Sequence, residues 1–356
     1  MFRAGVIGAS GFAGVQACFI LDQHPNFSLE LIGSEKFKGQ RLSELYSSTI
    51  NSKLGDEVFV SKDDPKFCDL DVVFLAVPHK TAMDIASKLV KNGVVVIDLS
   101  ADFRLSDPEV YEKWYQTKHT QIDLLNKRAF GLPEIYFDDL KQVSVSRKKG
   151  EAALVACAGC YVTATSLAAK PFVESSYFDE NFAIVADAIS GLTGAGKNPG
   201  DRGLYVNASQ NFEAYGVTKH RHTPEIEQIL NGKDVIFTPH LAPANRGILS
   251  TVTMKVNDIK SDLNQSKLLK IYLDFFQSSH FVKVIEKDGL TPKTRNVTGS
   301  NFANISVHLN EEKGYVIAIC AIDNLIKGAA GQAVQCANIV FDLPEDAGLN
   351  SMALPI

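Results

Sequence analysis

Apolar and polar residues alternate along the first half of this chain with the periods of strands and helices in turn. The runs FRAGVIG, SLELIGS, LDVVFLAVP and VVVIDLS are short and rich in apolar residues, as the buried strands of a parallel sheet are. Between them, VQACFILDQH and KTAMDIASKLVKNG have apolar residues at helical spacing, and Gly93 closes the second of these helices. The pattern predicts an α/β fold with a doubly wound sheet.

The pattern changes from about Glu151. The runs FAIVADAIS, DVIFTPHLA, GILSTVTMKV, SNFANISVHLN and GYVIAICAID predict a second α/β domain with a mostly antiparallel or mixed sheet, which we expect to pack against a twin subunit. The last segment, NLIKGAAGQAVQCANIVFDL, predicts a helix that returns to the first domain. We therefore expect an N-terminal Rossmann-type dinucleotide-binding domain at 1–156, to which a C-terminal helix in 325–356 returns, and a catalytic and dimerisation domain at 157–324.

Length and charge limit what the protein can be. Its 356 residues suffice for two domains with sizeable cores. The net charge is −5 and no long run of lysine or arginine occurs, which argues against a nucleic-acid partner. No apolar stretch has the length of a membrane span, and glycines break the N-terminal apolar run, so no signal peptide is expected. We expect a cytoplasmic protein with no membrane partner.

A glycine-rich turn, GASGFAG, joins the first strand to the first helix. Gly8, Gly11 and Gly14 fall where a dinucleotide-binding turn brings its backbone close to a pyrophosphate, whose charge the helix N-terminus offsets. The spacing is GxxGxxG rather than the usual GxGxxG. The prediction of dinucleotide binding therefore depends on the strand before the turn and the helix after it. A merely structural turn is the alternative.

The residues after the second strand bear on which dinucleotide binds. An acidic residue there would hold a ribose hydroxyl, whereas hydroxyl and basic groups suit a 2′-phosphate. Ser34 and Lys36 favour NADP and Glu35 favours NAD, so the residues alone give only a slight preference for NADP.

Two further loops should follow strands at the carboxyl edge of this sheet, where ligands bind. One contains Pro78 and His79, and the other contains Ser100, Asp102 and Arg104. A surface salt bridge is the alternative for Arg104.

The candidate chemistry lies in AGCYVT and HRHTPEI. The strand before Cys160 and the helix after it would place the thiol at a helix N-terminus, where the dipole and free N–H groups favour thiolate. His222 is an imidazole that can move protons. The sequence TPE predicts a cap at the threonine and a helix from about Pro224, so Glu225 would be close enough to hold the tautomer of that imidazole. His220 and His222 are expected in extended chain, facing the same side, and a core hydrogen bond is the alternative for either.

Two motifs are compatible with other functions. Cys157 and Cys160 form a CxxC, as in redox sites or half of a zinc site, but no second pair of ligands has suitable spacing, so we predict no metal. GLTGAGK matches the phosphate-binding loop of an NTPase, but Asn198 stands where serine or threonine should bind magnesium, and Pro199 interrupts the required helix. The loop could still lie against a nicotinamide or offer N–H groups to an acyl phosphate.

Eight blocks of this chain occur in the same order as in the N-acetyl-γ-glutamyl-phosphate reductases, which the chain resembles nearly from end to end. They are GASGFAG, DLSADFRL, AFGLPEI, AGCYVTATS, SGLTGAGK, HRHTPEIEQ, FTPHLAPANRGILSTV and IDNLIKGAAGQAVQ. The resemblance implies NADPH-dependent reduction of N-acetyl-γ-glutamyl phosphate to N-acetylglutamate semialdehyde, in arginine biosynthesis, by a cytosolic homodimer or homotetramer. It also implies that Cys160 is the nucleophile and His222 the acid/base residue.

The remaining candidate site residues come from these blocks and from the loops described above. For the cofactor they are Gly8, Ser10, Gly11, Phe12, Gly14, Ser34, Lys36, Pro78, Ser190, Gly191, Gly194 and Asn324. For the substrate carboxylate and phosphate they are Arg104, His220 and Arg246, with Arg202 and Arg221 as further candidates.

The chain departs from the family before the nucleophile, where NPGCYPT is usual and CAGCYVT stands here. Cys157 replaces an asparagine, and Ala158 and Val162 replace prolines, changes that could alter the oxyanion surroundings and loosen the turn. We also hypothesise that Cys157 traps Cys160 as a disulfide under oxidation.

Several alternatives remain open. Lysine-pathway reductases of carrier-bound aminoadipyl phosphate share these motifs, and aspartate semialdehyde dehydrogenase uses the same thioester chemistry. The cysteine of the latter usually follows an asparagine directly, where Gly159 stands here. A nucleotide-sensing regulator without catalysis and a P-loop phosphotransferase are the alternatives from other classes.

Overall fold

The computed structural model describes residues 1–197, 200–287 and 289–353, and these residues form two units. The first unit combines Met1–Ala158 with Ala329–Asn350, and the second is built mainly from Gly159–Gly328. In the described residues, no helix is long and apolar enough to cross a membrane.

The first unit contains a six-stranded sheet. Its strands are β1 (Phe2–Ile7), β2 (Phe27–Gly33), β3 (Val72–Leu75), β4 (Val95–Asp98), β5 (Ala129–Gly131) and β6 (Leu154–Cys157). They lie in the order β2-β1-β3-β4-β6-β5, and every neighbouring pair is parallel. β3 and β4 are buried along their whole length, as central strands of a parallel sheet with both faces covered are. The predicted doubly wound α/β sheet is confirmed.

Two of these strands are shorter than the apolar runs that predicted them. LDVVFLAVP forms a strand only over Val72–Leu75, and VVVIDLS only over Val95–Asp98. The second run leaves the sheet because the Ser100 N–H donates a 2.8 Å hydrogen bond to the Asp98 carboxylate, which turns the backbone.

The helices of the first unit connect these strands. They are α1 (Phe12–Asp22), α2 (Leu42–Leu45), α3 (Ala82–Lys91), α4 (Pro108–Tyr115), α5 (Ile122–Lys127) and α6 (Pro133–Lys148). As predicted, α3 ends just before Gly93, which has a φ of +86° and so provides the left-handed residue that commonly terminates a helix.

The second unit contains a seven-stranded sheet. Its strands are β7 (Ile184–Gly191), β8 (Glu213–Ala214), β9 (Val235–Ala242), β10 (Ile248–Lys255), β11 (Val282–Val284), β12 (Ala303–Asn310) and β13 (Tyr315–Ile322). The order is β11-β12-β13-β10-β7-β9-β8, with β7–β9 and β11–β12 parallel and the other pairs antiparallel. The predicted mixed sheet is confirmed.

A buried helix packs on this second sheet. The helices of the unit are α7 (Cys160–Val173), α8 (Tyr205–Ala208), α9 (Thr223–Ile229) and α10 (Gln265–Phe275). Every residue of α7 after Cys160 is buried. Thr165 Oγ1 lies 2.9 Å from Ser250 Oγ of β10, and Tyr272 of α10 donates a 2.6 Å hydrogen bond to the Ala168 carbonyl. α7 is therefore a core element covered by the sheet on one side and by α10 on another.

The C-terminal helix is α11 (Gly331–Val340), preceded by a π-helical turn over Ile326–Ala330. The single helix predicted over NLIKGAAGQAVQCANIVFDL is therefore wrong in its extent. It ends at Val340 because Asp342 takes a φ of +58° and Leu343 N–H bonds back to the Asn338 carbonyl at 2.8 Å. α11 packs against α1 and α6 of the first unit. Residues 354–356 of the predicted segment lie outside the described residues.

Two glycines allow the turn between β1 and α1 to close tightly. Gly8 has a φ of +89°, and a Cβ there would lie 2.2 Å from the Ala76 carbonyl oxygen. A Cβ at Gly14 would lie 2.2 Å from the Gly8 oxygen. At Gly11 a Cβ would meet only the Gly8 oxygen, at an ordinary 3.5 Å. Gly8 and Gly14 are thus required by the fold itself, whereas Gly11 is not.

We expect Gly8→Ala to lower the free energy of unfolding of the first unit by more than about 1 kcal/mol, because alanine would combine positive φ with a clash against Ala76. Gly11→Ala is the matched control and should leave the unfolding midpoint near that of the parent protein. Calorimetry measures both, and an unshifted midpoint for Gly8→Ala would contradict this account.

Candidate active site

Several strands of the second sheet end where β10 begins. β7 and β9 run parallel and end at Gly191 and Ala242, and β13 ends at Ile322. Ile248, at the start of β10, pairs with Ser190 on one side and with Ile322 on the other. The same edge of the sheet therefore carries four of the predicted site residues: Ser190, Gly191, Arg246 and Asn324.

Cys160 is the first residue of α7, and Gly159 is the N-cap. The cysteine is partly exposed, unlike the rest of its helix. The first N–H groups of a helix have no partner within that helix and, with the helix dipole, favour an anion at this end. The structure therefore places the thiol where the sequence predicted it, in a position that suits a thiolate nucleophile.

The backbone at Gly328 packs against one side of Cys160. A Cβ built at Gly328, in the π-helical turn, would lie 2.7 Å from the Cys160 Cβ and 3.1 Å from its Cα. Real Cβ atoms do not approach so closely. Glycine is therefore needed at 328 if the nucleophile is to keep its place.

Glu225 lies in the first turn of α9 and is 1% exposed. Its Oε1 accepts a 2.9 Å hydrogen bond from the N–H of Gly159. In a capping box, a glutamate of the same helix bonds the N-cap N–H, and here Glu225 does so from another helix. The contact joins the helix of Cys160 to α9, the helix whose N-cap is His222. The predicted role of Glu225 in holding the tautomer of His222 stays a prediction.

A second contact joins the same two helices at their other ends. Lys170 of α7 is 6% exposed, and its Nζ donates to the Ile229 carbonyl at 2.8 Å and to Asn231 Oδ1 at 3.0 Å. Lys170 also forms an ion pair with Glu174 at 2.9 Å, which further offsets the cost of burying the ammonium charge. α7 and α9 are therefore held together at both ends.

His220 and His222 lie in a turn, so the predicted extended chain is wrong. The Thr223 N–H donates to the His220 carbonyl at 3.0 Å, and the His222 N–H donates to His220 Nδ1 at 3.2 Å. The turn still brings the two rings together, with centroids 4.8 Å apart. α9 begins at Thr223 with His222 as its N-cap, so the threonine is not the cap, although Pro224 lies in the first turn as predicted.

Aromatic rings surround His220. Its ring centroid lies between 5.3 and 5.6 Å from those of Phe237, Tyr215 and Tyr161. Burial, followed by the nearby charge of Arg221, lowers the pKa of His220 to about 4. The imidazole is therefore neutral at pH 7. Because Nδ1 accepts from a backbone N–H, its single proton lies on Nε2.

The loop GLTGAGK is bonded to the chain before β10. The N–H groups of Gly191, Leu192 and Thr193 donate to the carbonyls of Gly247, Ala244 and Asn245 at 2.9, 2.8 and 3.2 Å. These three N–H groups therefore already have partners, and contact of the rest of the loop with a nicotinamide or an acyl phosphate stays a prediction. Leu192–Ala195 forms a 3-10 turn, and Asn198 and Pro199 lie outside the described residues.

Asn324 and Gly194 complete this arrangement. Asn324 Nδ2 donates to Thr193 Oγ1 at 3.0 Å, and its Oδ1 accepts from the Gly247 N–H at 2.8 Å. A Cβ at Gly194 would lie 2.8 Å from Ser190 Oγ. The structure thus brings these predicted cofactor residues together, and their contact with a cofactor stays a prediction.

The predicted substrate arginines have different surroundings. Arg246 is 27% exposed in its side chain, and its Nη1 lies 3.4 Å from Asp323 Oδ2. Arg104, in the first unit, is 7% exposed, and its Nη2 donates to the Leu99 carbonyl at 2.7 Å. The surface salt bridge considered for Arg104 is therefore wrong, because the guanidinium is buried. Of the two, Arg246 has the more accessible donors.

The glycine turn of the first unit fits a dinucleotide. α1 begins at Phe12 with Gly11 as its N-cap, and no side chain caps it. A pyrophosphate needs room close to the backbone, which the surroundings of Gly11 leave, and a helix N-terminus whose N–H groups no side chain caps. Ser10 Oγ lies 2.8 Å from Ser34 Oγ, which ties the turn to the end of β2. Beyond Ser34, Lys36 is exposed.

Asp102 joins the loops that follow β3 and β4. It is 0% exposed and accepts hydrogen bonds from Lys80 N–H at 2.7 Å, Ala82 N–H at 2.9 Å and Tyr111 OH at 2.8 Å. These bonds hold Lys80 at a φ of +72°, two residues after the exposed Pro78. The sequence predicted both loops at the ligand edge but did not indicate that one carboxylate holds them together.

The two cysteines of the CxxC are free thiols. Cys157 ends β6 and is 1% exposed. Within the described ranges, no group of three or more histidine, cysteine, aspartate or glutamate residues could hold a metal ion. The disulfide with Cys160 stays a hypothesis.

Two family models match the chain. A semialdehyde dehydrogenase NAD-binding domain matches residues 3–143, and a semialdehyde dehydrogenase dimerisation domain matches residues 160–324. The chain is 40% identical to a Thermoanaerobacter pseudethanolicus protein named N-acetyl-gamma-glutamyl-phosphate reductase, over 98% of each chain. It is 38% identical to a Campylobacter jejuni protein of the same name, over 99% of this chain and 98% of that one.

Solved structures share the fold. Aspartate semialdehyde dehydrogenase with NADP from Candida albicans has a TM-score of 0.71 at 17% identity, covering 98% of this chain and 99% of that chain. Aspartate semialdehyde dehydrogenase II complexed with ASA from Vibrio cholerae has a TM-score of 0.68 at 16% identity, covering 96% and 98%. At such identities the likeness shows the fold alone, and it confirms the predicted Rossmann-like domain with a second, mixed-sheet domain.

We expect the His220 imidazole to titrate near pH 4, because burial and Arg221 disfavour its charged form. The unfolded chain protonates this group near its ordinary pKa of 6.5, so stability should fall as the pH drops from 6.5 towards 4. NMR of ¹⁵N-labelled histidines measures the midpoint, with His220→Gln to assign the resonance. A midpoint at or above 6.5 would contradict the account.

Proposed function

Because this chain belongs to the N-acetyl-γ-glutamyl-phosphate reductase family of semialdehyde dehydrogenases, we propose that it reduces N-acetyl-γ-glutamyl phosphate to N-acetylglutamate 5-semialdehyde and phosphate. The reductant is NADPH, and the reaction belongs to arginine biosynthesis. The observation that carries the proposal is Cys160 at the start of α7, one residue after the N-cap that Glu225 bonds.

Cys160 gives the reaction a covalent route. His222 takes the thiol proton, and the thiolate attacks the γ-carbonyl carbon of the acyl phosphate. The C–S bond forms as the C–O bond to phosphate breaks, which leaves a thioester on the sulfur and free inorganic phosphate. The Gly159 N–H is not an oxyanion donor, because it donates to Glu225. The N–H groups of Cys160 and Tyr161 are the candidate donors to the oxyanion.

NADPH, when bound, supplies the hydride that reduces the thioester carbonyl. His222 gives its proton to the carbonyl oxygen and takes it back as the aldehyde forms, while the C–S electron pair returns to the sulfur of Cys160. The ring of His222 lies 6.0 Å from that of Tyr161, the residue after the nucleophile, which supports this role.

The substrate carries a carboxylate and a phosphate, which require donors. Arg246 is partly exposed at the sheet edge, and neutral His220 has its proton on Nε2, so both can donate to an anion. We assign these two residues and Arg104 to the substrate.

The residues after β2 support NADP over NAD. One oxygen of the Glu35 carboxylate accepts a 2.9 Å hydrogen bond from Ser61 Oγ, so this group already has a protein partner with which a ribose hydroxyl would have to share it. The Ser34 hydroxyl and the exposed Lys36 ammonium are then the groups that suit a 2′-phosphate.

We further propose that residues 1–156, with the returning segment 325–356, bind the dinucleotide and that residues 157–324 carry catalysis and subunit contact. The match to a dimerisation-domain model supports a homodimer or homotetramer. The substrate class is a small soluble acyl phosphate, which supports a cytoplasmic location.

We expect phosphate-dependent reduction of NADP with N-acetylglutamate semialdehyde, and Cys160→Ala should lower kcat by about 10⁴-fold or more because the covalent route is lost. Cys68→Ala removes a partly exposed thiol elsewhere and is the matched control, expected to keep parental turnover. Steady-state absorbance of NADPH measures both.

Aspartate semialdehyde and carrier-bound aminoadipate semialdehyde should give no comparable rate in the same assay. A higher kcat/KM for either would contradict the proposed substrate. Substantial turnover by Cys160→Ala would instead contradict the covalent route.

We expect Lys36→Glu to weaken NADP⁺ binding by about tenfold relative to NAD⁺, because it sets a negative charge against the 2′-phosphate. Calorimetric titration of each dinucleotide measures the Kd ratio without turnover. Lys53→Glu makes the same charge change at another exposed position and should leave the ratio unaltered. An unchanged ratio in Lys36→Glu would rule out the assignment.

A further inference from the structure

A buried carboxylate that the chemistry above does not use contacts several segments of the candidate site. Asp323 follows β13 directly and is 0% exposed. Its Oδ1 accepts hydrogen bonds from the N–H groups of Leu325 and Ile326 at 2.8 and 3.1 Å. Its Oδ2 accepts from the Gly299 N–H at 2.7 Å and from Arg246 Nη1 at 3.4 Å.

Strand pairing explains why these groups meet. β13 lies between β10 and β12 and runs antiparallel to both, so its C-terminal end adjoins their N-terminal ends. Arg246 stands just before β10, and Gly299 stands shortly before β12. A residue immediately after β13 is therefore the natural acceptor for both.

Asp323 also fixes the turn that supports the nucleophile. Besides the two N–H groups that bond its carboxylate, the Gly328 N–H donates to the Asp323 carbonyl at 2.9 Å. These three bonds shape the start of the π-helical turn. In that turn Gly328 packs against Cys160 so closely that a Cβ would overlap it. If the Asp323 carboxylate moved, the backbone from Ile326 to Gly328 would move with it. Gly328 would then displace Cys160, which it contacts.

The same carboxylate orients Arg246. A fully buried negative charge is costly unless donors surround it, so the guanidinium is drawn to Asp323. One of its five N–H groups makes this contact, and the partly exposed side chain retains others for an anion.

We propose that Asp323 is a positioning residue, which keeps Cys160 and Arg246 at a fixed separation through one buried carboxylate. The part that concerns Arg246 rests on the proposed function, whereas the support of Cys160 does not. Reacting groups that move by about 1 Å lose about 10²-fold in rate, so this separation matters to turnover.

Asp323→Asn keeps the shape and one acceptor oxygen but removes the charge. In this variant we expect kcat/KM to fall by about 10²-fold, with KM for the acyl phosphate raised and kcat lowered. Alkylation of Cys160 by iodoacetamide, followed on its peptide by mass spectrometry, should slow by roughly threefold or more. Asp258→Asn is the matched control, since its carboxylate accepts a 2.8 Å hydrogen bond from the Lys260 N–H in an exposed turn of the same unit.

Arg246→Gln distinguishes a positional effect from one of charge acting through space. Asp323→Asn removes a negative charge and Arg246→Gln removes a positive one, so a through-space effect would change Cys160 reactivity in opposite directions. A positional effect slows alkylation in both variants, and the double variant should be no slower than Asp323→Asn alone. Opposite directions, or unchanged alkylation in folded Asp323→Asn, would overturn the proposal.

Calorimetry establishes that each variant is folded. If Asp323→Asn does not fold, Arg246→Lys decides instead, because it keeps the positive charge and changes only the geometry of the contact with Asp323: slower alkylation of Cys160 supports the coupling, and unchanged or faster alkylation overturns it. Alkylation needs no substrate, so it reports on Asp323 even if the parent protein proves inactive towards the acyl phosphate, which would count only against the proposed function.

Discussion

The hydrogen bond from the Gly159 N–H to the Glu225 carboxylate determines how the candidate site is arranged. A carboxylate with 1% exposure requires donors, and the N-cap of a buried helix provides one. The bond sets the start of α7 against the start of α9. Because Lys170 joins the far ends of the same helices, neither helix can slide or tilt without breaking a buried polar contact. The thiol and the histidine are thus presented by one rigid pair of helices.

Around this pair, the sheet edge gathers polar residues that we assign to the substrate and the cofactor. Asp323 and Asn324 are adjacent in the chain but bond different neighbours, Arg246 and Thr193 among them. The Asn324 side chain bonds the loop after β7, and the Asp323 side chain bonds the segment before β10. Antiparallel pairing of β10 with β7 and β13 is what brings these segments to one place.

Local patterns in the sequence were sufficient for much of this architecture. Cys160 was placed at a helix N-terminus because strand, turn and helix follow one another within a few residues. Gly8 was placed in a turn because the glycines lie between a strand and a helix, whereas its close approach to Ala76 left no local pattern. Contacts between distant segments left no such pattern: nothing near Glu225 indicates that it bonds Gly159, and nothing near Asp323 indicates Arg246. The turn at His220 was missed because a side chain, His220 Nδ1, bonds the backbone that strand periodicity assumes to be extended. The π-helical turn before α11 was missed because its small residues fit an ordinary helix equally well.

The lack of a side chain at position 328 has a meaning for the evolution of such reductases. This position makes no demand of charge or polarity, yet only hydrogen fits between its backbone and the sulfur-bearing residue. A gene copy that acquired a bulkier residue here would have to displace either the π-helical turn or the cysteine, whatever else of the site it kept. Position 328 therefore limits which substitutions such a reductase can accept, although no reactive atom lies there.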